Sequence, residues 1–219
     1  MEDLAKTIQQ KYIDELVSKY PIHRFVILFI FVISTYSYNS IKLPLLTSLM
    51  DLKISFLFDF KDGLLSKVSI FQFFTCVALT AMTGVAFERA SRLFFDFFIR
   101  RYDIPNLTKT LQIRYERIKT SNDLVNYYLS KDISADLEKK KIRLRCFTVN
   151  IEYLTAILIA IVWGVSENGF KELLSALIVF VSIAMLQFKL FIFYIESFIP
   201  LHVAEKVLQG TDIDIPPPL

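Results

Sequence analysis

Four long runs of hydrophobic residues, separated by polar segments, dominate the pattern along the chain. A helix needs about 20 mostly apolar residues to cross about 30 Å of hydrocarbon. Runs near that length occupy residues 22–38, 68–87, 147–165 and 173–199. We therefore predict an all-α membrane protein with four transmembrane helices. A large soluble helical bundle is the alternative, but hydrophobic residues make up 54% of the chain and the mean hydropathy is +0.46.

The charge of the connecting segments predicts the orientation. Residues 88–146 hold fourteen Lys and Arg against eight acidic residues, whereas residues 39–67 hold four Lys against three Asp. Basic segments remain on the cytoplasmic side of a membrane. We expect both termini in the cytoplasm of an inner-membrane protein. The remaining predicted segments are a cytoplasmic amphipathic helix (1–21), an outer loop (39–67), a cytoplasmic helical lobe (88–146), a short outer turn (166–172) and a cytoplasmic tail (200–219).

The third hydrophobic run carries a strip of small and polar residues at four-residue spacing, which places them on one helix face. The strip comprises Thr148, Glu152, Ala156, Ala160, Gly164 and Asn168. Cys76, Thr80 and Gly84 form a similar strip in the second run. Small residues let helices approach closely in lipid. We predict that Ala156, Ala160 and Gly164, with the second strip, serve packing within the chain and assembly of a homo-oligomer.

Two charged residues lie inside the predicted spans. Glu152 is about five residues from the inner end of the third run, and Lys189 is near the inner end of the fourth. An unpaired charge at that depth costs about 3 kcal/mol or more. We therefore predict a Glu152–Lys189 pair that orients the packing. A hydrated path for ions or protons, or a Lys189 that reaches the interface alone, are the alternatives.

The lobe should be built from helices that leave the membrane. Opposite charges alternate at four-residue spacing at Glu88, Arg92, Asp96 and Arg100, opposite an apolar surface at Leu93, Phe94, Phe97 and Phe98. A solvated helix face explains this ladder better than a charged pore lining. Pro105 should end the helix. A second helix over 107–129 shows a seam of the kind used in coiled coils: Leu111, Tyr115, Ile118, Asn122, Val125 and Leu129. The helix capped by Ser134 should continue into the third span.

The lobe also carries the candidate binding residues. They are Arg114, Arg117, Lys139, Lys140, Lys141, Arg143 and Arg145. A basic cluster beside a membrane attracts anionic headgroups, and the same residues can contact a cytosolic protein partner. The aromatic residues do not interleave as stacking platforms, so we expect no direct binding of nucleic acid.

We expect neither an enzyme nor a cofactor. No glycine-rich phosphate loop is present, and His23 and His202 lack the neighbouring residues of a catalytic or metal site. Cys76 and Cys146 are too few for a zinc site. Spans broken by glycine or proline, which would indicate a transporter, are also missing.

The plan of four spans, both ends inside and a basic lobe over 89–145 resembles the small four-span membrane subunits of bacterial phage-defence systems, notably that of Kiwa. The resemblance covers the architecture of the whole chain. It implies an inner-membrane oligomer that senses membrane disturbance during infection and signals to a cytosolic DNA-binding partner. A toxic effector that opens the membrane is a close variant.

A bacteriocin immunity protein, or another interaction protein that packs within the membrane, is the alternative function. Immunity proteins of this kind are small, span the inner membrane several times and block a pore-forming toxin in the bilayer. They are usually smaller and do not need an inner lobe of 59 residues. The lobe therefore favours the scaffold, sensor or pore-type component.

Overall fold

The computed structural model describes residues 21–59, 61–102 and 104–211, and most of these residues are helical. The α-helices are α1 (Pro21–Tyr36), α2 (Leu45–Asp51), α3 (Ile54–Phe58), α4 (Ile70–Tyr102), α5 (Ile104–Ile118), α6 (Asp123–Asn168), α7 (Phe170–Phe193) and α8 (Ile199–Gln209). π-helical turns follow α1 (Ser37–Ile41) and α7 (Tyr194–Phe198), and a 3-10 turn (Leu64–Lys67) precedes α4. No strand occurs in the described ranges, so the all-α prediction is confirmed. The predicted opening helix lies outside them.

Four helical stretches are long and apolar enough to cross a membrane, as predicted. They are His23–Ile41, Ile70–Ile99, Asp123–Val165 and Phe170–Gln209. At 1.5 Å per residue, the 33 residues of α4 extend about 50 Å and the 46 residues of α6 about 69 Å. Both helices therefore exceed the thickness of a hydrocarbon core.

The chain divides into two compact units. We call residues 21–87 and 149–186 the bundle, and residues 88–148 and 187–211 the lobe. Helices α4, α6 and α7 each contribute residues to both units.

In the bundle, α1 and the last part of α6 are the most enclosed elements. Ile27 and Phe31, one turn apart on α1, are fully buried, and so are Ala156 and Ala160 on α6. By contrast, α4 and α7 present wide apolar surfaces. Residues that are more than half exposed there include Phe71, Phe74, Met82, Val85, Leu173, Leu177, Ile178 and Phe180. Lipid or another helix must cover these surfaces in a membrane.

In the lobe, the continuation of α4 buries Ser91, Phe95 and Ile99, which repeat every four residues. Phe95 packs edge to face against Phe191 of α7 and Tyr194, with ring centroids 5.5 and 5.6 Å apart. The apolar stripe therefore differs from the predicted one, because Leu93 and Phe97 are 72% and 69% exposed. The predicted pairing of the charge ladder is confirmed at its first step, Glu88 with Arg92.

The predicted continuous helix over 107–129 is wrong, because α5 ends at Ile118 and α6 begins at Asp123. The side chain of Asn126 accepts the Thr120 N–H at 3.1 Å and donates to the Thr120 carbonyl at 2.7 Å. Asn122 accepts the Leu124 N–H at 3.0 Å and so begins α6. Asparagine side chains compete with helical backbone bonds in this way. Asn122, the polar residue of the predicted seam, is therefore part of a helix break.

The predicted seam divides with that helix. Ile118, Val125 and Leu129 are exposed, whereas α6 buries Asn126, Ser130, Leu137 and Leu144. The apolar side of α5 packs against α8, whose buried residues are Ile199, Val203, Ala204, Val207 and Leu208. The helix that Pro105 was expected to end, α4, does end close to it, at Tyr102, and Pro105 itself lies in the first turn of α5, where its missing N–H is tolerated. The predicted cap at Ser134 is wrong, because Ser134 lies within α6.

The outer loop folds against the bundle through α2 and α3. The turn predicted at Asp62-Gly63 is confirmed. A Cβ atom at Gly63 would lie 2.1 Å from the Asp59 carbonyl oxygen, so this close approach requires glycine. Tyr36 packs on Phe56 with ring centroids 5.3 Å apart, which joins the end of α1 to α3.

Candidate functional site

Among the bundle residues whose side chains the structure describes, two acidic side chains are buried, one near each end of α1. Glu152 of α6 is 8% exposed, and its Oε2 lies 3.1 Å from Nε2 of His23 in the first turn of α1. A ring protonated at Nε2 donates a hydrogen bond to the carboxyl group in this geometry. A Cβ atom built on Gly84 of α4 would lie 4.0 Å from Oε1 of Glu152. Three spanning helices therefore meet at this carboxyl group.

The second acid, Glu172 in the first turn of α7, is fully buried. Its Oε1 accepts the Leu45 N–H at 2.9 Å and lies 3.3 Å from the Tyr38 hydroxyl. Leu45 begins α2, where the first backbone N–H groups have no partner within the helix. Glu172 therefore satisfies a buried donor and holds the outer loop to α7. Its Oε2 has no hydrogen-bond partner among the residues that the structure describes.

Tyr38 links this second acid to α6. Its hydroxyl donates to the Ala160 carbonyl at 3.0 Å, and Glu172 is the other acceptor within reach. The ring lies directly over Gly164, because a Cβ atom there would be 2.2 Å from Cζ and 2.4 Å from the hydroxyl oxygen. A side chain at this position of α6 would displace the tyrosine.

The predicted helix-packing residues face the interior of the bundle to differing degrees. Ala156, Ala160 and Gly164 are buried, and so is Cys76, whose Sγ lies 3.3 Å from the Thr35 hydroxyl of α1. Thr80 and Gly84 are half-buried. At Cys76 and Gly164 both strips are therefore used for contacts within the chain. Their role in an oligomer stays a prediction.

Glu152 has His23 as its partner, where the sequence predicted Lys189. Lys189 belongs to the lobe and its side chain is exposed. Neither observation tests its predicted pairing with Glu152, which stays a prediction. From the sequence, His23 stood out only as a histidine without the neighbours of a catalytic or metal site. We placed Glu172 in a short outer turn and Tyr38 at the end of a span. The only feature of the sequence that could have indicated a role for His23, Glu172 and Tyr38 was their position near the ends of apolar runs.

The predicted basic residues of the lobe have several surroundings. Lys139 pairs with Asp136 at 3.0 Å, and Lys141 pairs with Glu138 at 2.8 Å. Lys140 lies over the Phe193 ring, 5.5 Å from its centroid.

Arg143 also lies over Phe193, at 5.2 Å, and over Phe147 at 6.0 Å. Arg145 is half-buried. Arg114 and Arg117, one turn apart on α5, are exposed. These two arginines are therefore accessible to a partner.

The geometry favours a conformational role for the two acids. The His23 and Tyr38 positions are fifteen residues apart, about 22 Å along a helix. Each acid contacts a different pair of elements, so each restrains helix packing at one end. The intervening hydroxyls of Ser34, Thr35 and Thr83 donate to carbonyls of their own helices. In the part of the chain that the structure describes, no group of three His, Cys, Asp or Glu is placed to hold a metal ion.

Comparison of the chain with protein-family models, with curated protein sequences and with solved structures finds no match.

Proposed function

We propose that the protein is an oligomeric inner-membrane scaffold or sensor, or a pore-type component, of a bacterial defence system. It couples the bilayer to a cytosolic protein partner through its basic helical lobe. The observation that supports this best is the continuity of α4, α6 and α7, which each contribute residues to the bundle and to the lobe without a break in the helix. A packing change among the spans therefore acts on helices that also build the lobe.

The contacts of the two buried acids, Glu152 and Glu172, are the part of the bundle that we expect to switch between two packing arrangements. A few polar contacts hold the ends of the bundle: His23 with Glu152, and Tyr38 and Leu45 with Glu172. A switch requires an element with two arrangements that differ by only a few kcal/mol. Disturbance of the surrounding lipid would bias the equilibrium by changing how the spans pack. The lobe would then present a different surface to its partner.

The exposed faces of α4 and α7 support assembly. These faces carry large apolar side chains such as Phe74 and Ile178, and a second copy can cover part of them. The hydrogen bond at Cys76 and the packing of Tyr38 on Gly164 are contacts within the chain, so we place the oligomer contact on the outer surfaces of α4 and α7.

Thiol labelling tests the orientation on which the proposal rests. Cys146 is exposed and Cys76 is buried, so a membrane-impermeant maleimide reports on Cys146 alone. We expect labelling in inverted membrane vesicles and none in intact cells. Cys146→Ser is the control for labelling at Cys76. Labelling of intact cells would place the basic lobe outside and end the proposal.

Charge reversal tests the partner surface. We expect Arg114→Glu combined with Arg117→Glu to abolish co-purification of a cytosolic partner while the oligomer size in mild detergent stays unchanged. The matched control is Lys53→Glu combined with Lys61→Glu, which reverses two charges in the outer loop. Equal loss with both double variants would contradict a role for the lobe.

Expression phenotype separates the proposal from the alternative. A bacteriocin immunity protein should rescue cells from one pore-forming toxin without any partner. A pore-type component should depolarise cells when activated, and a sensor should do neither alone. Rescue from a toxin by a variant carrying both Arg114→Glu and Arg117→Glu would favour the immunity protein.

A further inference from the structure

The outer loop forms a groove that none of the contacts above occupies. Its cavity volume is about 510 Å³, within the range of small-molecule sites. The apolar part of its lining comes from the end of α1 and from the loop: Tyr36, Ile41, Leu43, Leu52 and Phe56. All of these residues belong to the bundle.

Charges of both signs line the same groove. Asp51 and Asp59 are acidic, and Lys53 is basic. Oδ1 of Asp59 accepts the backbone N–H groups of Lys61 and Asp62, which leaves Oδ2 for a ligand. Asp51 and Lys53 are exposed, and no ion pair joins them in the part of the chain that the structure describes. The groove therefore offers two carboxylates that can bind a cationic group and one lysine ammonium group that can bind an anionic group.

The position of the groove indicates that its ligand lies in the membrane, at the level of the lipid headgroups. The first candidate span ends at Ile41, which lines the groove. On α2, Leu46 is 37% exposed and Met50 is 87% exposed, one helical turn apart. Exposed apolar side chains beside the end of a span belong at the boundary between acyl chains and headgroups. The lining charges then lie at headgroup depth.

We propose that this groove binds a zwitterionic phospholipid with a primary ammonium headgroup, of the phosphatidylethanolamine type. The ammonium group donates to Asp51 and Asp59, the phosphate accepts from Lys53, and the first part of an acyl chain packs on Leu52 and Phe56. Charge-assisted hydrogen bonds of this kind are directional. A choline headgroup lacks N–H donors, and a glycerol headgroup lacks the positive charge, so both should bind less well. The inference rests on the four spanning helices and does not depend on the cytosolic partner.

Native mass spectrometry of the full chain, released from nanodiscs of defined lipids, tests the proposal. Nanodiscs would contain equal amounts of phosphatidylethanolamine, phosphatidylcholine and phosphatidylglycerol. We expect phosphatidylethanolamine to remain bound about fivefold to tenfold more than either competitor, which corresponds to about 1.0–1.4 kcal/mol. Equal retention of the three lipids, or retention of none, would overturn the proposal.

Two variants locate the site. Asp51→Asn combined with Lys53→Gln should remove the preference for phosphatidylethanolamine. Asp62→Asn combined with Lys67→Gln, which changes the same charges outside the groove, should retain it. Ser55→Trp keeps the charges but fills the groove, and it should reduce bound lipid to background. Persistent selective binding in the Ser55→Trp variant would show that the lipid binds elsewhere, as would equal loss in the two charge variants.

Discussion

Replacing Gly164 by alanine would test how the bundle is closed beside Tyr38. The added methyl group would lie 2.2–2.4 Å from three atoms of the Tyr38 side chain. That ring is 7% exposed and is anchored by its hydroxyl, so it has little room to move. The substitution should push the ring away from α6 and break the hydrogen bond to the Ala160 carbonyl. Its contact with Glu172 should weaken as well.

The magnitude follows from two contributions. Overpacking a buried position costs about 1–3 kcal/mol, and the loss of a buried hydrogen bond adds about 1–2 kcal/mol. Together these costs amount to about 2–5 kcal/mol. Alanine is a better helix former than glycine, which recovers up to about 1 kcal/mol. We therefore expect Gly164→Ala to lower the free energy of unfolding by about 1–5 kcal/mol in total.

Gly84→Ala provides a matched control in another spanning helix. A Cβ atom at Gly84 meets only Oε1 of Glu152, at 4.0 Å, which is an ordinary contact. We expect this substitution to leave the free energy of unfolding unchanged or to raise it by up to about 1 kcal/mol, which is the gain in helix propensity.

Denaturant unfolding in detergent micelles at fixed protein concentration is the assay, with a double-mutant cycle to identify the cause. In a Tyr38→Ala background the methyl group has space, so Gly164→Ala should cost less than about 1 kcal/mol there. If Gly164→Ala costs the same in both backgrounds, or is as harmless as Gly84→Ala, the close packing of Tyr38 on α6 is refuted.

Substitutions at three further buried positions, Glu172, Glu152 and Asn126, test the buried polar contacts by the same unfolding measurement. Glu172→Ala should cost about 2–4 kcal/mol and Glu172→Gln less, because the amide oxygen still accepts hydrogen bonds; equal costs would contradict this. Glu152→Leu should be partly rescued by His23→Leu, which removes the polar group left without its partner. Rescue by Lys189→Leu instead would restore the pair predicted from sequence. Asn126→Ala should cost about 1–3 kcal/mol and increase amide hydrogen exchange between α5 and α6; unchanged exchange would contradict the role of this side chain.

The break between α5 and α6 shows that a regular spacing of apolar residues does not by itself predict where a helix ends. Apolar spacing through Leu111, Tyr115 and Ile118 continues into the next segment, so it reads as one helix. The Asn126 side chain decides otherwise, because it bonds both backbone groups of Thr120. Periodicity records which positions are apolar, whereas a break depends on competition between side-chain and backbone hydrogen bonds.

The partners of the buried acids show a similar limit. The sequence placed Glu152 inside a strip of small residues, and the structure buries that position. The sequence also indicated that Glu152 would need a cationic partner at a similar depth in the membrane, and Lys189 met that condition. The structure places His23 beside the carboxyl group. The sequence did not indicate this contact, because α1 and α6 are far apart in the chain.

The sequence by itself determined the class of protein, the four helices long enough to span a membrane and the buried strip in the third of them. These features depend on the length and period of apolar runs, which are local properties of a chain. Only the tertiary structure decided that Tyr38 lies over Gly164, that Glu172 binds the first amide of α2, and that α8 covers α5. Such contacts depend on which faces of distant helices meet, and many arrangements of the same apolar runs bury similar hydrophobic area.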